Sequence, residues 1–256
     1  MSDWNPDKYL RYGSERTQPS IDLVSRIRVT EPKNIMDLGC GPGNSTLVLK
    51  KRWPKATITG LDSSPQMIKQ AKADYPKGDW VLGDIASWST DQQYDVIFSS
   101  ATLQWIPNHE PLFLRLMTCL KDAGVLAIQL PYHYDSPLHR SIIEVSKDAR
   151  WTRHMDSARN ALTYKSASFY YDVLSSNSSE LSIWTTEYFH VLDSPQAILD
   201  WISVTGLRPF FSALDSDEEV DRFKQLLLEK YTAVYARQKN GNVIFPFKRQ
   251  FILARK

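Results

Sequence analysis

Ile35-Met36-Asp37-Leu38-Gly39-Cys40-Gly41-Pro42-Gly43 carries an apolar strand directly into a glycine-dense turn, and Asn44-Ser45-Thr46 behind it can start a helix. Glycine is demanded in such a turn because its backbone angles are closed to residues bearing a Cβ, and because a ligand can then lie against bare main chain. Strand, glycine turn and helix in that order open a βαβ unit, with a ligand crevice at the carboxyl end of the strand.

Working outward, runs of strand character recur at 34–38, 56–61, 79–82, 94–99 and 125–130, with helix-compatible stretches between them. This alternation predicts an α/β fold with a mostly parallel, Rossmann-like sheet. Polar residues follow several of these runs and would converge on one crevice: Asp62-Ser63, Asp84-Ile85, and the segment Ser100-Ala101-Thr102-Leu103-Gln104-Trp105. Asp62 falls about 20 residues beyond the first glycines, where a carboxylate can accept hydrogen bonds from both ribose hydroxyls. That position fits NAD and S-adenosylmethionine alike. The glycines separate them, because a dinucleotide fingerprint reads G-x-G-x-x-G, whereas here the third glycine is Gly43, one residue early, and Asn44 takes its place. Ser64-Pro65 opens a helix with proline at a tolerated first-turn position. On that helix Met67 faces either the crevice or the core.

At these residues the chain resembles class I S-adenosylmethionine-dependent methyltransferases. The resemblance implies that Gly39 and Gly41 lie against the methionine and ribose portion, that Asp62 holds the ribose, and that Asp84 with Ile85 meets the adenine. Asp37, Cys40, Asn44, Ser63, Met67 and Ser100 complete the expected cofactor-binding set.

Of 256 residues, 31 are basic and 29 acidic, and no run of five or more like charges occurs, which argues against a nucleic-acid surface. Neither end carries an apolar stretch of membrane-spanning length or an export-signal pattern, so the expectation is a cytoplasmic protein without membrane contact. The two cysteines, Cys40 and Cys119, have no metal-ligand spacing, and neither a disulfide framework nor a metal site is expected.

Beyond Pro131 the pattern changes. Residues 137–150 read as a helix, 181–192 as a strand and 243–253 as a broken last strand, with Pro246 marking a bend or edge position. Roughly 50 residues separate these last two strands, and helices at 195–205 and 216–237 fill the gap. An insertion of that length predicts a functional cap rather than a passive loop. The expected organisation is one domain, 1–256, with an N-terminal cover (1–33), a cofactor-binding core (34–131), a helical and irregular segment (132–180), and the last two strands (181–256) carrying a helical cap at 194–237.

Aromatic residues make up 12% of the chain and gather outside the sheet core. Trp4 and Tyr9 belong to the N-terminal cover, and Gln104 and Trp105 lie at the exit of the fourth strand. Arg16 and Arg208 are the candidate anion clamps, since an arginine fork can bind a carboxylate through two parallel hydrogen bonds. His133, at the exit of the fifth strand, could add a further bond.

Trp4-Asn5-Pro6, Glu15-Arg16, Leu103-Gln104-Trp105, Tyr170-Tyr171-Asp172, Thr205-Gly206-Leu207-Arg208-Pro209 and the ending from Pro246-Phe247 to Ala254-Arg255 are similar, essentially end to end, to the trans-aconitate 2-methyltransferase family. The chain departs from that family at Gln18, where a second basic residue is usual, at Pro131-Tyr132-His133 and at Ser100-Ala101. The likeness implies methyl transfer to one carboxylate of trans-aconitate, a small polycarboxylate, giving a monomethyl ester and S-adenosylhomocysteine. A carboxylate of ordinary pKa, about 4, is already ionised at neutral pH, so no catalytic acid or base is expected. The alternatives are a methyltransferase for another small or carrier-bound acid and a non-catalytic S-adenosylmethionine-binding module. The sequence leaves the oligomeric state open, a monomer being plausible.

Overall fold

The computed structural model describes residues 4–6, 12–151 and 155–256. Seven strands form one sheet: β1 (Asn34–Leu38), β2 (Thr57–Asp62), β3 (Asp79–Leu82), β4 (Tyr94–Ser100), β5 (Leu120–Pro131), β6 (Glu180–Leu192) and β7 (Val243–Arg255). Their order is β3-β2-β1-β4-β5-β7-β6. The first five are parallel, and β7 runs antiparallel to β5 from Val125↔Arg255 to Pro131↔Arg249. This is the mostly parallel, Rossmann-like sheet expected from the sequence.

Contacts divide the chain into two compact units. The larger holds the described residues through 131, together with 163–186 and 249–256. It contains α1 (Gly13–Arg26), α2 (Asn44–Arg52), α3 (Pro65–Asp74), α4 (His109–Thr118) and α7 (Ala167–Leu174). Its core joins Leu38, Ile97, Phe113, Leu126, Ile128, Tyr170 and Ile252, all fully buried. The smaller unit holds the described residues of 132–162 and 187–248. It contains α5 (Pro137–Ser146), α6 (Asp156–Arg159), α8 (Pro195–Ser203), α9 (Arg208–Phe211) and α10 (Asp217–Val234). In it α10 packs on α5 and α8, and its Phe223 lies 5.5 Å from Trp151 and 6.0 Å from Phe210, ring centre to ring centre.

Local sequence explains where the helices begin. Ser64, Ser136 and Ser194 each accept a hydrogen bond from the main chain three residues on, with proline at the first helical position. Ser166 and Ser216 cap α7 and α10 in the same way. Each cap satisfies an N–H that the helix itself cannot.

The main departures from expectation are three. The helix predicted over 137–150 stops at Ser146, because the Asp148 carboxylate takes the Arg150 main-chain N–H at 3.0 Å and closes a local turn instead. β5 begins at Leu120 rather than 125, and its register against β4 jumps between Tyr94 and Val96, near Ala123 at φ 61°. Pro246 neither breaks β7 nor sits on an edge strand, since β7 is continuous and lies between β5 and β6. The carbonyl of Lys248 accepts from Tyr132, so Pro246, two residues earlier, turns its missing N–H the same way, past the last β5 pair.

Candidate active site

The glycine turn is fixed by the strand ends on either side of it. Leu61, in β2, accepts both the Gly39 N–H at 2.7 Å and the Cys40 N–H at 3.0 Å through its carbonyl. Beyond β4, the Thr102 hydroxyl donates to the Gly39 carbonyl at 3.2 Å. Asp62 accepts the Gly41 N–H at 2.9 Å on one carboxylate oxygen and the Ser64 N–H at 2.9 Å on the other. Gly39, Gly41 and Gly43 have φ of 74°, 55° and 98°, in the left-handed region. Gly43 also serves as the N-cap of α2.

The first and second glycines do different things. A Cβ on Gly39 would meet the Thr102 side chain at 2.1 Å, so close packing requires its absence. A Cβ on Gly41 would meet nothing within 4 Å and would project into open space. That space is what a bound group needs if it is to lie against bare main chain.

Asp37 sits in β1 beneath the turn and is fully buried. One of its oxygens accepts from Ser45 at 2.7 Å and Thr46 at 2.6 Å, while Oδ1 is buried with no partner in the structure. Burial raises its pKa to about 6, and the Thr46 and Ser45 hydrogen bonds oppose the rise without cancelling it. The folded protein therefore holds this proton more tightly than the unfolded chain does, and the stability contributed is greatest below about pH 4 and is lost as pH climbs through about 6. Asp37→Asn, which can still accept from Ser45 and Thr46, is expected to flatten the wild-type decline in stability between those values, by up to about 3 kcal/mol. Urea melts of both proteins from pH 4 to 7 test this; parallel curves would refute it.

The other expected cofactor residues are placed as follows. Cys40 packs its side chain with Ile68, Ala71 and Trp80, leaving only main chain to face a ligand, and burial pushes its thiol well up, so it is no thiolate at neutral pH. Met67 is buried in α3. Ser63 is exposed and Asn44 half-buried at the start of α2. Asp84 is exposed beyond β3 and accepts the Ala86 N–H at 2.9 Å. The Ile85 side chain belongs to the core. Ser100 ends β4 and donates to Gln129 Oε1 at 3.0 Å.

At the β4 exit, Gln104 donates from Nε2 to the Ala101 carbonyl at 2.7 Å, steadying a residue at φ 55°. The Gln104 main-chain carbonyl accepts the Thr163 N–H at 2.8 Å. The Trp105 ring meets that of Trp4 edge-on at 5.7 Å, so the structure brings together two residues expected at the substrate position. Tyr9 lies outside the described residues. Arg16 is half-buried in α1, whereas Gln18 is exposed and donates to Asp22 at 2.8 Å. In the smaller unit, His133 is buried against Phe247 at 4.8 Å, its carbonyl accepting from Ser136, and Arg208 starts α9 half-buried.

Several residues of the site escaped the sequence reading. His109 bonds the Leu103 carbonyl through Nε2 at 2.9 Å, which fixes the proton there and makes Nδ1 the acceptor for the Tyr170 hydroxyl at 2.6 Å. This buried pair holds the segment bearing Gln104 and Trp105. It also gives the Tyr170-Tyr171 motif a structural role. Gln129 and Arg249, the latter only 4% exposed, lie behind Ser100, with Arg249 Nη1 donating to Gln129 Oε1 at 3.4 Å. The available signal was a glutamine inside an apolar strand run and an arginine inside the last strand.

Residues 35–124 match the family model described as a methyltransferase domain. Trans-aconitate 2-methyltransferase of Escherichia coli O139:H28 (strain E24377A / ETEC) is 42% identical, over 100% of this chain and 99% of that relative. The chain belongs to the trans-aconitate 2-methyltransferase family. Among solved structures, the YcgJ protein of Bacillus subtilis shares the fold, with a TM-score of 0.58 at 17% identity over 93% of this chain and 98% of that one. Haemonchus contortus phosphoethanolamine N-methyltransferase 2, solved with S-adenosyl-L-methionine, does so with a TM-score of 0.59 at 13% identity, over 97% of this chain and 56% of that one. Membership of the family agrees with the sequence reading end to end. Among the described residues no cluster of His, Cys, Asp and Glu could hold a metal ion, and no helix is long and apolar enough to cross a membrane.

Proposed function

We propose that the protein transfers a methyl group from S-adenosylmethionine to a carboxylate of trans-aconitate, leaving a monomethyl ester and S-adenosylhomocysteine. The observation that carries this reading is the 42% identity to trans-aconitate 2-methyltransferase along the whole chain. Bound S-adenosylmethionine would supply a methyl group on a sulfonium, already activated for displacement.

The residues present fit that ligand. The open space before Gly41 admits it, and the buried, unpartnered Oδ1 of Asp37 lies under the same turn. A carboxylate oxygen can accept more than one hydrogen bond, so Asp62 can hold the glycine turn and a ribose hydroxyl together. Asp84 and the Ile85 main chain meet the adenine, with Ser63, Met67, Asn44, Cys40 and Ser100 completing the wall. Trp4, Tyr9, Arg16, Gln104 and Trp105 contact the acid and exclude water. Arg208 and His133, in the smaller unit, stand as substrate contacts on sequence likeness alone. The acid arrives ionised, so the protein's task is placement, with reacting atoms about 3 to 3.5 Å apart, rather than proton transfer.

The test is incubation with labelled S-adenosylmethionine and a panel of di- and tricarboxylates, scored for a base-labile methyl group. Label appearing only on amines or nucleic acid would overturn the reading.

The placement mechanism also predicts a pH profile. Activity should fall in acid as the substrate's carboxylates protonate near pH 4, with no step from a histidine between about 6 and 7. A step near 6 in kcat/KM that is absent from kcat belongs to Asp37 in the free protein, since a nearby cation would keep that carboxylate ionised. A step that persists in Asp37→Asn and vanishes in His133→Asn would defeat the mechanism.

A further inference from the structure

Resting on the proposed function, with adenine against Asp84 and the Ile85 main chain, the loop that carries these two residues needs an anchor of its own. β3, which leads into it, has four residues and lies at the edge of the sheet, paired only with β2. Its last two residues, Val81 and Leu82, are 41% and 55% exposed. A short edge strand with so little burial holds a trailing loop weakly. The Gly83 N–H donates to the Asp62 carbonyl at 3.0 Å, while Asp84 takes the Ala86 N–H on its carboxylate at 2.9 Å and the Ser87 N–H on its carbonyl at 3.2 Å. The first of these bonds ties the loop to β2. The other two shape the loop from within and fasten it to nothing else.

Arg115 supplies the second anchor. It is half-buried in the last turn of α4, three residues beyond Leu112 and so on the same side of the helix. Leu112 belongs to the core cluster that contains Ile85 and against which Trp88 packs. From there Arg115 donates to the Ile85 carbonyl from Nη2 at 2.7 Å and to the Trp88 carbonyl from Nη1. A guanidinium holds its donors fixed in one plane, so one side chain braces two peptide groups three residues apart. A basic residue in the last turn also suits the negative end of the helix. That preference does not account for both donors leaving the helix for a single loop.

We propose that Arg115 is a positioning residue for the adenine of S-adenosylmethionine. By holding the Ile85 and Trp88 carbonyls it fixes the direction of the Ile85 peptide and of the Asp84 carboxylate beside it, and through them the preference for adenine over other purines. Adenine presents an amine donor next to a ring-nitrogen acceptor. Hypoxanthine presents a carbonyl next to a ring N–H, so both hydrogen bonds reverse. A braced loop rejects the second base, whereas a loop free to turn its peptides accommodates either.

Arg115→Met and Arg115→Lys test this, each measured for melting temperature and, by calorimetry, for binding of S-adenosylhomocysteine and of its hypoxanthine counterpart, S-inosylhomocysteine. Wild-type protein should prefer the adenine compound by about a hundredfold or more, since the other leaves two polar groups unpaired. Arg115→Met should bind S-adenosylhomocysteine about tenfold more weakly and lose about tenfold of the preference. Arg115→Lys, a point charge without the fork, should fall between the two, and it decides the question should Arg115→Met fail to fold. In kinetics KM for S-adenosylmethionine should rise with the loss of affinity, while KM for trans-aconitate changes by less than about threefold. A lowered melting temperature with the base preference unchanged in the folded variants would make Arg115 a stabiliser of α4 alone and overturn the proposal, as would equal binding of the two compounds by wild type. Wild-type protein that binds neither compound would instead overturn the proposed function.

Discussion

Gly39→Ala is expected to abolish binding of S-adenosylhomocysteine and methyl transfer together, with a marked fall in melting temperature. Alanine at φ 74° is strained, and its Cβ would overlap Thr102 at 2.1 Å. A left-handed alanine costs about 1 to 2 kcal/mol and overpacking about 1 to 3 more, concentrated in a turn held by the Leu61 and Thr102 contacts. The matched control is Gly41→Ala, where the added methyl meets no protein atom within 4 Å. That variant should lose only about 1 kcal/mol of stability, for its φ, yet bind cofactor poorly because the methyl fills the space the ligand needs. Calorimetry and thermal melts separate the two. Equal stability losses with intact binding in Gly41→Ala would show that the ligand lies elsewhere. Thr102→Gly added to Gly39→Ala should restore part of the stability, since it removes the atoms that collide.

The second large effect is expected at Asp62. Its carboxylate accepts from Gly41 and Ser64 before any ligand arrives. Asp62→Ala therefore removes a charge-assisted ribose contact and also frees the turn that presents Gly41. The ribose contact alone is worth about 1.5 to 3 kcal/mol, which is roughly a ten- to hundredfold loss in affinity for S-adenosylhomocysteine. Freeing the turn should add a smaller loss of stability. Asp62→Asn keeps one acceptor oxygen and should fall between wild type and Ala in both readouts. An unchanged affinity in folded Asp62→Ala would remove Asp62 from the cofactor site.

What could be read from the sequence was whatever physics acts locally. The strand, glycine turn and helix at 35–46 follow from backbone angles that neighbouring residues dictate. The Ser-Pro starts of α3, α5 and α8 follow from an unsatisfied N–H a few residues away. The positions of Asp62 and Asp84 follow from where strands end. Gln129, Arg249 and the His109–Tyr170 pair were not legible, because each acquires its role from a partner far along the chain. Gln129 and Arg249 are 120 residues apart. Nothing near either one says that a strand pairing will bury them side by side. The Asp148 turn was missed for a different reason, a side chain outcompeting the helix for a single N–H, where helical spacing of apolar residues gives no warning.

The hydrogen bonds around the glycine turn carry a consequence for folding. The turn is fastened by Leu61 and Asp62 from β2 and by Thr102 from beyond β4, so it takes its shape only once β1, β2 and β4 are docked. A partly folded chain lacking any of these strands offers no competent ligand surface. The cofactor therefore selects the native state alone, and its stabilisation should grow with concentration as RT ln(1 + [L]/Kd) without a term for binding to unfolded protein. Amide exchange at Gly39, Cys40 and Gly41 should accordingly be slow even without ligand, and should proceed by the same global opening that exposes the centre of the sheet.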